Sequence, residues 1–425
     1  MNQGTIAIEP PPQQASARLE AAMLWTLGFF LFTLPLVEAP KNISAVLYLV
    51  LWLVHGVRTR NFGGSWNRYD TVFAVFLASA LASGLSGYPK DVPSVFRMVL
   101  VAWAISRSPA ATREPRLLMV STCVGTVIAI AIAAVPFLRG AKQFLELPSV
   151  GHANQSAMYI AIVTAVAFGW WLQGAQNGQD KRVRAGMAFT AVLSCAALLA
   201  GASRAAAGAG AVAAVVIAAA VVAANKGMAW RRMLAWTVGT VAVICVAVAA
   251  LGALAPNLSD RKLTAAGLMR IDSTETRIKH WRLAYEGWRQ RPWLGWGPER
   301  FQMIKIDDVC RWRQEHGEDC PRDRLQEQIH GHSLYFSALA ERGIVGVVAL
   351  ALLLAAWGWS LIASWRTAAT SWIWPASASG FLIATVAGTF NTTLRVEHGA
   401  LAVAFFGFWI AACARPGAAR GAPAA

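Results

Sequence analysis

Runs of about 20 apolar residues recur along almost the whole chain, and that recurrence leaves few folds open. A helix of that length crosses the hydrocarbon core of a bilayer with its backbone groups paired internally, whereas barrel strands are about half as long and alternate in polarity. Only 14% of the residues are charged, against roughly 25% in an ordinary soluble domain. The sequence therefore predicts an all-α polytopic membrane protein. Twelve spans are expected, at 20–38, 42–57, 69–87, 94–106, 117–138, 156–173, 185–202, 206–224, 234–254, 333–364, 373–391 and 399–414.

The apolar runs divide the chain. A short tail, 1–19, carries Pro10-Pro11-Pro12 and has no basic stretch followed by a short apolar core, so it reads as a disordered tail and not as a cleaved signal. Spans one to nine fill 20–254, a long polar block fills 255–332, spans ten to twelve fill 333–414, and a second tail fills 415–425. Twelve crossings place both termini on one side.

The net charge of +16 invites a nucleic-acid reading, but in a membrane protein basic residues gather in cytoplasmic loops, where they set topology and meet anionic lipid. Arg58, Arg60, Arg68, Arg107, Arg113, Arg116, Lys181, Arg182, Arg184, Lys226, Arg231, Arg232 and Arg366 fall on one face with both tails. That face is expected to be cytoplasmic, and nucleic acid is set aside as a partner in favour of membrane lipid. The opposite face then holds Arg139, Lys142, Arg204, Arg277 and Arg395, where the topology rule disfavours positive charge. Arg204, in a very short connection between two apolar runs, either grips a ligand or snorkels to the interface.

Within the block, Asp272-Ser273-Thr274-Glu275 looks like a capping box and Arg291-Pro292 like a stop, which predicts a helix between them. Arg277, Trp281, Ala284 and Trp288 recur along one stripe of it. The stripe suits either an amphipathic helix on the membrane surface or a site for a phosphate-bearing sugar, with guanidinium forks on phosphate oxygens and indoles on sugar rings. Pro292-Trp293-Leu294-Gly295-Trp296-Gly297 is a tight turn open to close backbone approach. Cys310 and Cys320 share the block and are candidates for a disulfide; Cys123, Cys195, Cys245 and Cys413 sit singly in apolar runs and suggest no metal site. Asp307-Asp308 lacks further ligands in sequence, and no metal is assigned there. His330 and His332 stand immediately before the tenth span, on the same face as the arginines. An imidazole that titrates near working pH is a natural acceptor of a hydroxyl proton.

His332-Ser333, nine residues, Gly343, two residues and Gly346, together with Ser203-Arg204, Arg277-Ile278-Lys279-His280-Trp281 and the 292–297 turn, resemble the signature of the O-antigen ligase family over roughly 150–400. The resemblance implies a GT-C-type glycosyltransferase fold that moves a glycan from undecaprenyl diphosphate to lipid A-core oligosaccharide in lipopolysaccharide biosynthesis. It implies a bacterial inner-membrane enzyme with a periplasmic site, inverting, needing neither metal nor other cofactor, and a monomer. On it, His332 is the expected base, with His330 as the alternative. Arg204 and Arg277 stabilise the diphosphate, with Arg282 and Arg395 behind them; Trp281, Trp288, His152 and Asn154 line the cleft, or His152 caps a helix. Gly343 and Gly346 are expected to let the tenth span pack closely. O-antigen polymerases and protein O-oligosaccharyltransferases of the same superfamily are alternatives. A transporter or flippase for a lipid-linked anion is an alternative of another class.

Overall fold

The computed structural model describes residues 12–86, 92–225 and 272–414. The tails at 1–11 and 415–425, the 88–91 connection, the expected ninth span at 234–254 and the first part of the polar block, 255–271, lie outside them. The described residues form helices and no strand: α1 (Pro12–Thr33), α2 (Glu38–Thr59), α3 (Arg68–Ser86), α4 (Val92–Arg107), α5 (Pro115–Leu138), α6 (Ala153–Gln176), α7 (Lys181–Ala200), α8 (Arg204–Ala224), α9 (Asp272–Gln290), α10 (Ile306–Glu315), α11 (Leu334–Ala363), α12 (Ile373–Val386) and α13 (Val396–Cys413). Each expected span that falls within the described residues coincides with one of these helices. By length and hydropathy, seven of them can cross a membrane: α2, α5, α6, α7, α8, α11 and α13.

The ends of the helices follow local chemistry. Asp180 caps α7 by accepting from Arg182 N at 2.9 Å, Pro115 opens α5 where a missing N–H costs nothing, and Ser333 caps α11. The centre of the bundle is α6 and α13, each apolar nearly all round and 83% buried along its apolar window. Close approach there depends on small residues: a Cβ on Gly407 would stand 2.4 Å from the Ala102 carbonyl oxygen of α4. Trp357 of α11 stacks on Phe406 of α13 at 4.8 Å, and its indole donates to Ser377 Oγ of α12 at 2.8 Å.

The helix α11 is broken at Gly343, whose φ of 61° and ψ of −162° are essentially closed to other residues. The break leaves a first segment, Leu334–Arg342, and a second, Ile344–Ala363, long enough for a span. The backbone groups it frees are taken up by the 292–297 turn. Ile344 N donates to Pro292 O at 2.9 Å and Val345 N to Trp293 O at 3.2 Å, while Trp296 N donates to Ala340 O at 3.0 Å and Gly297 N to Glu341 O at 2.8 Å. From α3, Ser83 Oγ adds bonds to Leu294 O and Glu341 O at 2.7 and 2.8 Å. The expected role of the two glycines is thereby corrected. Gly343 is a backbone break as well as a close approach, since a Cβ there would stand 2.4 Å from the Trp293 carbonyl, and the absent Cβ of Gly346 makes room for the Arg342 side chain, which would stand 2.1 Å from it.

The rest of the polar block packs on this joint as a small unit with its own apolar centre of Leu283, Ala284, Phe301, Ile304, Val309 and Leu325. Cys310 and Cys320 are joined by a disulfide in it. Arg289 and Arg313 bind Glu318 and Glu286, tying α9 to α10 and the loop after it.

A Gly343→Ala substitution is expected to cost about 2 kcal/mol or more, from forced backbone strain and from a Cβ 2.4 Å from the Trp293 carbonyl. Gly186→Ala in α7, where a Cβ meets nothing within 4 Å, should be neutral or slightly stabilising. Thermal midpoints of the two variants in one detergent check the pair; equal midpoints would mean that the break carries no special demand.

Candidate functional site

The break in α11 sets one end of the site and α9 sets the other. Arg277 and His280 are three residues apart on α9 and so share a face. Burial lowers the pKa of Arg277, and the positive charge of Arg204 at the start of α8 lowers it further. Two guanidinium groups 73 positions apart in sequence (277 − 204) thus act on each other. The Arg277 guanidinium also lies over the Phe390 ring, 5.9 Å from its centroid.

His332 occupies the strained end of the segment that enters α11. Its φ is 47°, a left-handed value uncommon outside glycine, and its carbonyl accepts from the Trp281 indole at 3.4 Å. Its ring stacks on that of His280, with centroids 5.0 Å apart and planes 27° from parallel. Burial pushes the His332 pKa down to about 4, helped by His280, Arg277, His330 and His152 in that order. His330 is pushed down to about 4 by burial and then by Arg395, and His280 is lowered by burial and then by Arg277. Neutral imidazoles beside two arginines can accept a proton and hold an anion at one place.

The remaining expected residues separate into those near this centre and those away from it. His152 caps α6, its Nδ1 accepting from Asn154 N at 3.3 Å, and still bears on both His330 and His332; capping and proximity are combined in one residue. Trp281 is stacked face to face on Phe336 at 5.3 Å, which covers one face of the indole. The Trp288 indole donates to Pro292 O at 3.1 Å and braces the turn. Arg282 is exposed and lines an open groove with Trp281, Tyr285, Arg324 and Phe336. Five residues from Arg277, it points about 140° away around the helix. Arg395, expected as a phosphate cation, is engaged inside the protein. Its Nη2 donates to both carboxylate oxygens of Glu341 at 2.8 Å and its Nη1 lies 2.7 Å from His330 Nδ1. Asp307 and Asp308 are paired with Arg322 and Arg311 at 2.7 and 3.1 Å.

Three features were not read from the sequence. His280 is one, although the spacing from Arg277 already placed it on the same face. Glu341 is another, and only its contact with Arg395, 54 residues away, reveals it. The third is a cleft of about 210 Å³ that Arg395 also lines, with Lys41, Arg97, Glu299 and Glu397 around an apolar floor. There Lys41 is buried against Glu397, Glu38 and Ser149.

Residues 189–351 match a protein-family model described as O-antigen ligase. The matched stretch holds Arg204, Arg277, His280, His330, His332 and the Gly343 break, and leaves out His152 and Arg395. No curated protein matches the chain.

Because the lowered pKa disfavours the charged ring, His332 should stay neutral as pH falls and take up a proton only near 4. Histidine ring resonances of the purified protein, followed by NMR between pH 3.5 and 8, check this. A His332 midpoint near 6.5 would mean that the ring is solvated and the packing against His280 is wrong.

Proposed function

From a chain that carries an O-antigen ligase family domain over residues 189–351, we propose that it transfers glycan from undecaprenyl diphosphate to a sugar hydroxyl of lipid A-core oligosaccharide. The reading places a GT-C-type fold of twelve spans in a bacterial inner membrane, as a monomer with both termini cytoplasmic and the site facing the periplasm. The disulfide between Cys310 and Cys320 supports that side, since such bonds persist in oxidising compartments.

The observation that carries the proposal is the His332 ring stacked on His280, with Arg277 three residues from His280 on the same face of α9 and Arg204 near enough to lower the pKa of Arg277. As the anomeric C–O bond breaks, the diphosphate leaving group gathers negative charge. The two guanidiniums stabilise it where a divalent ion would otherwise do so, and fixed charges of this kind contribute about 3 kcal/mol each. His332 takes the proton of the acceptor hydroxyl as its oxygen attacks from the opposite face, so that the anomeric configuration inverts in one step. A base of this kind contributes roughly 10²–10⁴-fold.

Substitutions H332A and R277A should leave membrane insertion intact and lower transfer by about 10²-fold or more. In cells, the lipopolysaccharide on a gel should lose its O-antigen bands completely. Single repeat units still attached to core would instead point to a polymerase of the same superfamily, and near-normal ladders would remove both residues from the mechanism.

A further inference from the structure

The two histidines before α11 are not equivalent, because only one of them is held by an arginine. A guanidinium has five N–H donors and no acceptor, and it keeps its charge at any ordinary pH. The nitrogen of His330 that stands 2.7 Å from Arg395 Nη1 is Nδ1, and at that distance it must offer a lone pair. A neutral imidazole that accepts at Nδ1 carries its proton on Nε2.

Arg395 is itself held. Its other terminal nitrogen is fixed on the Glu341 carboxylate at 2.8 Å to each oxygen, and that carboxylate, 5% exposed, also accepts from Glu299 N at 3.2 Å. Glu341 cannot drift, because its own carbonyl is bonded by Gly297 N and Ser83 Oγ next to the Gly343 break. A rigid line therefore runs from the broken helix through a carboxylate and a guanidinium to one edge of the His330 ring.

We infer that Glu341 and Arg395 are positioning residues that lock His330 in the Nε2–H tautomer, so that His330 serves as a neutral hydrogen-bond donor to an oxygen of the bound substrate and leaves His332 as the base. Among the described residues no arginine is hydrogen-bonded to the His332 ring, which packs on His280. The substrate oxygen that His330 meets rests on the ligase reading, whereas the tautomer does not.

Two measurements on the full chain test this. The first is ring ¹⁵N NMR of protein labelled at its seven histidines, with the His330 signals identified by their loss in H330Q. The wild type near pH 7 should show a protonated Nε2 and an unprotonated Nδ1 at His330. Arg395→Gln and Glu341→Gln should move His330 toward a mixture of tautomers. A protonated Nδ1 in the wild type, or the same pure tautomer in both variants, overturns the lock.

The second is transfer from donor to acceptor in detergent. The side-chain amide of glutamine can donate from about the place of Nε2, so H330A should lose about tenfold or more and H330Q should recover part of that loss, while H332Q should fall by about 10²-fold or more. H330Q no better than H330A, or weaker than H332Q, overturns the assignment of His330 as donor. A wild type with no transfer at all, yet with the expected Nε2–H signal, overturns the ligase reading and leaves the lock standing.

Discussion

The structure depends on one backbone fact: α11 cannot continue through Gly343, and the groups left open there cannot be left to lipid. An unpaired N–H or C=O away from water costs several kcal/mol, so the broken turn must find partners in the protein. It finds them in the 292–297 turn, which supplies two carbonyls to one side of the break and two N–H groups to the other. The polar block is thereby fastened to a spanning helix chiefly through main-chain bonds, with Ser83 Oγ and the Glu341 carboxylate adding to them. The side chains on either side of the joint inherit that rigidity: Glu341 and Arg342 below it, His332 and Ser333 one short helical segment away.

Electrostatics then decide what such a site can hold. Like charges at 4 Å repel by about 1 kcal/mol in water and by about 4 kcal/mol at the effective dielectric of a protein surface, so guanidiniums brought within reach of each other favour an anion between them. The imidazoles follow the same field. All three of His280, His330 and His332 are driven toward the neutral form, first by burial and then by positive neighbours. Arg395 adds to the field but is compensated by Glu341 and stands 2.7 Å from His330 Nδ1.

Much of this was legible in the sequence because hydropathy and helix periodicity are local signals. The helices within the described residues, seven of them long and apolar enough to cross a membrane, and the helix from Asp272 to its stop before Arg291-Pro292 follow from runs and spacings. The assignment of individual side chains was less legible, for a physical reason. Arg282 and Arg395 were credited with phosphate because charge was counted without direction. Arg282 lies on a different face of α9 from Arg277, in a groove it shares with Trp281, and Arg395 meets a carboxylate that is distant in sequence and was not considered. Trp281 and Trp288 were placed on the stripe correctly, but a stripe does not say whether an indole faces a ligand, a phenyl ring or a carbonyl. The glycines of the signature were read as packing residues, whereas the main demand at Gly343 is on φ and ψ, which only the three-dimensional break discloses.

A pKa near 4 makes His332 on its own a weak base for the proposed reaction. General-base efficiency is greatest when the catalytic pKa lies near the working pH. Part of the depression at His332 comes from positive neighbours, Arg277 among them. An anion bound to the same guanidinium offsets that contribution, while the opposite charge itself favours imidazolium. Docking of a diphosphate would therefore raise the pKa of the ring at the moment when the acceptor proton has to be taken. Ring and leaving group strengthen each other: the anion makes the base competent, and the proton gained by the base adds positive charge beside the departing diphosphate.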